Sequence, residues 1–99
     1  MAGQIRMTPQ ELRDAAGTLK DKREIILEAV GVIESTVNST TANWEGAAQS
    51  SFIDTFDNNM YPILKDTLPD VITGIAGQLD GAADAIEQAD AEVAKAFKG

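Results

Sequence analysis

The sequence predicts an all-α protein folded as an antiparallel helical hairpin. Three observations carry the prediction: a helix-favouring composition, two long apolar stripes at helical spacing, and the tripeptide Trp44-Glu45-Gly46 between them. Over 99 residues Ala, Leu, Ile, Glu, Asp and Gln are abundant, against one Trp, one Tyr and three Phe. That profile favours helix over sheet, and the length suits one domain spanning 1–99.

The first helix is predicted from about residue 8 to 40. Thr8-Pro9-Gln10-Glu11 places Thr at the N-cap, Pro at the first helical position and Glu three residues after the cap. This is a capping box with the favoured proline. Leu12, Leu19, Ile26 and Ile33 then recur every seventh residue, with Ala15, Ala16, Val30 and Val37 at the half-steps. A stripe sustained for about four heptads marks a helix that packs as coiled coils do. Its length would be roughly 48 Å at ~1.5 Å per residue. The run Ser35–Asn43 is rich in Ser, Thr and Asn, whose side chains compete for backbone hydrogen bonds, so the helix should fray and end there.

The chain reverses at 44–46. Gly46 reaches backbone conformations closed to other residues, Trp44 can cap the end of a two-helix layer, and Glu45 lies near the positive end of the next helix. That second helix is predicted over about 47–97. Phe52, Phe56, Met60, Ile63 or Leu64, Leu68, Ile72, Ile75 and Leu79 follow helical spacing, and so do Ile86, Val93 and Phe97. Pro62 and Pro69 interrupt it, at ~3 kcal/mol each in a regular interior. Two readings stand: one helix kinked near 58–69, or a break that makes three helices. The spacing of Gly77 and Gly81 points to close helix packing.

The formal net charge is −8, unevenly spread. Residues 1–43 hold five basic and six acidic groups, and residues 44–99 hold three and ten. Such a surface repels phosphate backbones and anionic headgroups, which argues against nucleic-acid binding and, at neutral pH, against membrane contact. Cysteine and histidine are absent. That removes disulfides, thiolate nucleophiles, imidazole bases and ordinary zinc sites. Ser50-Ser51 has no histidine to activate it, and Asp80, Asp84 and Glu87 read as a solvated face. No catalytic residue, metal or cofactor is predicted. No apolar run approaches the ~18 residues a bilayer span needs, and Met1–Arg6 lack the apolar centre of a cleaved leader.

A length near one hundred, a midpoint W-x-G, a helix on each side and no cysteine form a constellation. The opening Ile5-Arg6-Met7-Thr8-Pro9-Gln10-Glu11-Leu12 and Phe52, six residues after Gly46, extend it. Together these resemble the WXG100 (ESAT-6-like) family across essentially the whole chain. The resemblance implies a non-enzymatic substrate of the type VII (ESX/Ess) secretion system, secreted without a cleaved signal peptide. It also implies contact with that system's ATPase. It further implies pairing with itself or with a second WXG100-like protein, since members of the Gram-positive branch are commonly homodimers that form a four-helix bundle. The stripes agree, since two hairpins can cover each other's apolar faces. Leu12, Leu19, Ile26, Ile33, Phe52 and Phe56 are the expected core and dimer seam.

Ile86, Asp90, Val93 and Phe97 step by four, three and four, so they share one helix face. They look like the family's C-terminal export pattern, although the tail tyrosine of the mycobacterial form is missing. With a turn near residue 44, residue 80 should face residue 8, and residues 86–97 should project beyond the first helix. In an antiparallel dimer that overhang would lie beside the partner's Trp44 loop. The expected role is that of a secreted effector or co-secreted partner. Two alternatives stand: an intracellular chaperone or heterodimer partner of a larger toxin, and a membrane-disrupting effector.

Overall fold

The computed structural model describes residues 7–98. Ile5 and Arg6 of the opening motif lie outside the described residues. Helix α1 runs Pro9–Ala42, α2 runs Ala47–Thr55 and α3 runs Leu68–Lys98. Between α2 and α3 lie two π turns, Phe56–Met60 and Ile63–Thr67, so the second arm stays helical from Ala47 to Lys98. The arms fold back on one another as a hairpin of 77 × 28 × 18 Å.

The start of α1 is fixed by reciprocal bonds. The Glu11 N–H donates to the Thr8 hydroxyl at 3.1 Å, and the Thr8 N–H donates to the Glu11 carboxylate at 2.9 Å. The backbone donor holds the Glu11 carboxyl below its usual range. The Ser/Thr-rich end of α1 remains helical through Ala42. Its hydroxyls bond back to carbonyls four residues earlier, Thr36 to Val32 at 2.8 Å and Thr41 to Val37 at 2.9 Å. The competition expected to fray this segment is thereby turned inward.

Both prolines sit at widened turns. The Tyr61 N–H donates to the Phe56 carbonyl and the Leu68 N–H to the Ile63 carbonyl, five residues back in each case. A π turn takes one extra residue into the helix and relieves the crowding between a proline ring and the carbonyl four residues before it. The buried side therefore steps by five at each turn, from Phe56 to Tyr61 and from Leu64 to Pro69. Met60 and Leu68, which a constant step of four places inside, are exposed.

The core is narrow. Ala16, Ala76 and Ala83 are fully enclosed, joined by Val30, Phe56 and Pro69. Leu12, Leu19 and Ile26 are half-buried, while Ile33 and Phe52 are 40% and 38% exposed. Each helix has a single neighbour, so the flanks of its stripe stay uncovered. At Gly77 and Gly81 an added Cβ would meet nothing within 4 Å. The expected close packing at those glycines does not occur within the hairpin; the close approach falls on Ala76 and Ala83.

Candidate functional site

The reversal is built from residues 43–46. The Asn43 N–H donates to the Thr40 carbonyl and the Trp44 N–H to the Thr41 carbonyl, which ends α1. Gly46 then caps α2 at φ 115°, a conformation that side chains other than glycine's rarely adopt. The Gln49 side chain ties α2 back to α1 by donating to the Thr41 carbonyl at 2.8 Å. Glu45 is exposed, one residue before that cap.

Trp44 opens an aromatic ladder. Its ring lies 5.8 Å from Phe52, Phe52 lies 6.4 Å from Phe56, and Phe56 lies 5.7 Å from Tyr61. These separations suit aromatic pairing. Partial burial raises the Tyr61 phenol above its ordinary value, and the neighbouring Glu34 carboxylate adds to the shift. The ladder passes from solvent at Trp44, 39% exposed, to the core at Phe56, so the tip is joined to the core and still accessible.

The register differs from expectation. Arg13 meets Asp84 and Glu87, Lys20 meets Asp80, and Arg23 meets Thr73. Extending that pairing sets Thr8 near residue 88, not residue 80. Each π turn adds one residue to the second arm, and the rest of the shift falls at the tip, where α2 packs on the π turn that follows it rather than along α1. Ile86 thus lies beside α1, half-buried. Asp90, Val93 and Phe97 stand on the true overhang, residues 88–98, all of them exposed. At ~1.5 Å per residue this arm is about 16 Å long. Phe97 is 88% exposed.

The two sides of the hairpin differ in chemistry. Exposed apolar side chains precede buried or half-buried positions: Ile25 before Ile26, Met60 before Tyr61, Ile63 before Leu64, Leu68 before Pro69, Val71 before Ile72 and Ile75 before Ala76. Val32 continues the stripe seven residues after Ile25. In an antiparallel pair, the same backward rotation of ~100° brings both sets to one side of the molecule. Val32 is 65% and Val71 55% exposed. The cross-helix ion pairs take the opposite side: Arg13 follows Leu12, Lys20 follows Leu19 and Asp84 follows Ala83. Sequence reasoning treated Asp80, Asp84 and Glu87 as merely solvated. The signal that could have found their partners is the seven-residue spacing of Arg13 and Lys20, each one step past a stripe leucine.

Among the described residues, no group of three His, Cys, Asp or Glu could hold a metal ion, and no helix is long and apolar enough to cross a membrane. Residues 4–91 match the family model described as "WXG100: Proteins of 100 residues with WXG". The chain belongs to the WXG100 family. Protein YukE of Bacillus subtilis is 29% identical over 99 residues, covering 100% of both chains. The ESAT-6-like protein SAG1039 of Streptococcus agalactiae is 30% identical over 96 residues, covering 97% of this chain and 98% of the relative. Among solved structures, Geobacillus thermodenitrificans EsxA matches with a TM-score of 0.72 at 26% identity, over 95% of this chain and 99% of that one. WXG100 proteins are small, secreted, non-enzymatic type VII secretion substrates that pair as homo- or heterodimers.

Proposed function

We propose that this WXG100 chain is exported by a type VII secretion system as a homodimer and acts outside the cell as an effector or co-secreted partner. The observation that carries the reading is the set of large apolar side chains the hairpin leaves uncovered, gathered on one side and on the C-terminal arm. A lone helix pair gains nothing by keeping such a face in water. A second copy, packed antiparallel through the same face, would cover it and complete a four-helix bundle.

In that arrangement the arm of one chain reaches toward the Trp44 tip of the other. Trp44 and Gly46 from one protomer and Asp90, Val93 and Phe97 from its partner would then form a composite recognition surface for the secretion ATPase. Half-buried Ile86 would anchor the arm rather than face the ATPase. The test is secretion, followed in culture supernatant, of Trp44→Ala, Gly46→Ala and Phe97→Ala chains. Retention inside the cell with the helical content intact is expected for each. Normal export by all three would reject the composite surface.

A further inference from the structure

Three carboxylates converge on one guanidinium near the open end of the hairpin. Asp80, Asp84 and Glu87 lie at i, i+4 and i+7 of α3 and share a helix face. Arg13 Nη2 donates to Asp84 Oδ1 at 2.6 Å and to Glu87 Oε1, and Arg13 Nη1 lies 3.9 Å from Asp80. Lys20 Nζ reaches Asp80 at 3.1 Å. The hydrogen bonds to Asp84 and Glu87 raise the guanidinium's hold on its proton above the ordinary value.

Apolar support in this half is thin. Ala16, Ala76 and Ala83 fill its centre, alanine buries little area per residue, and Leu12, Leu19 and Leu79 beside them are only half-buried. Glu87 is the last described residue of α3 bonded to α1, and every residue from Gln88 to Lys98 is exposed. The root of the arm therefore meets α1 through the Arg13 cluster and the half-buried side chain of Ile86.

We infer that Arg13 is a positioning residue: by binding Asp84 and Glu87 it pins the root of the C-terminal arm to α1 and sets the direction in which Asp90, Val93 and Phe97 project. Without the guanidinium, three like charges share two turns of helix and repel one another, with Lys20 as their neighbouring cation. The consequence for export rests on the arm's proposed role in recognition. The positioning itself does not.

Hydrogen exchange on the full chain separates the two. Arg13→Gln should speed amide exchange in residues 84–98 by about two- to fivefold, and Arg13→Glu by more. The charge swap R13E/D84K/E87K should return the arm close to wild type. Residues 30–41 and 47–56 should keep wild-type exchange throughout. Unchanged exchange of the arm in Arg13→Gln and Arg13→Glu would overturn the inference. So would equal acceleration along the whole chain, which would make Arg13 a general stabiliser, or a swap that fails to recover. In secretion, Arg13→Glu should lower export and the swap should restore it. Normal export of Phe97→Ala alongside the expected exchange pattern would reject the export reading and leave the positioning role standing.

Discussion

Ala16, Ala76 and Ala83 are fully enclosed, whereas Leu12, Leu19 and Ile26 are only half so. Small side chains at the centre let the helices approach closely, and the larger ones then line the flanks. Phe56, at 5% exposure, is the one large aromatic inside. Phe56→Ala should therefore cost about 3–5 kcal/mol, the range for emptying a buried aromatic site. Gly77→Ala should act in the opposite sense and stabilise by up to ~1 kcal/mol, since its Cβ meets open space in a helix interior. Urea unfolding of the two variants, compared with the parent, checks both signs. The Thr8 cap and the Trp44 turn were legible because each is a local signature of neighbouring residues. The alanine core was not, because alanine at a half-step reads as helix-forming filler until the partner helix is in place. Arg13 was missed for the same reason: its partners lie 71 and 74 residues away.

At the scale of elements, the second arm shows how two prolines are accommodated. The sequence offers Phe56, Met60, Ile63 or Leu64, and Leu68 as one stripe at steps of three to five. The structure buries Phe56 and Pro69 and half-buries Tyr61 and Leu64, with a step of five at each π turn. The prolines were the legible warning, but a kink, a break and a widened turn all satisfy them, and only packing against α1 selects among these. Each π turn holds one residue more than a regular helix needs. Deleting Asn59 should therefore keep the downstream residues in phase and leave the hairpin folded. Deleting Gly74, inside regular α3, should rotate all that follows by ~100° and turn Ala76 and Ala83 away from α1. Thermal melts followed by circular dichroism should show a far greater loss for the Gly74 deletion. An equal or greater loss for the Asn59 deletion would contradict the π-turn description.

The whole molecule is a thin rod with a charged side and an apolar side. Arg13, Lys20 and Arg23 are engaged across the hairpin, and the net charge is −8 per chain. Pairing two such chains works against like-charge repulsion, and added salt should tighten the pair by screening it. The hairpin fold was legible from the stripes and the midpoint turn. Which side faces a partner was not, because it depends on the register between arms, and the register depends on the breadth of the turn and on both π turns. The stripe through Ile25, Val32, Val71 and Ile75 is the surface a second copy is proposed to cover. Light scattering on the purified chain tests that most directly. The expected mass is twice the 10.5 kDa of one chain, falling to that of a folded single chain when Val32→Glu and Val71→Glu are combined. A wild-type protein that stays folded as a single chain, or a dimer untouched by both substitutions, would contradict it.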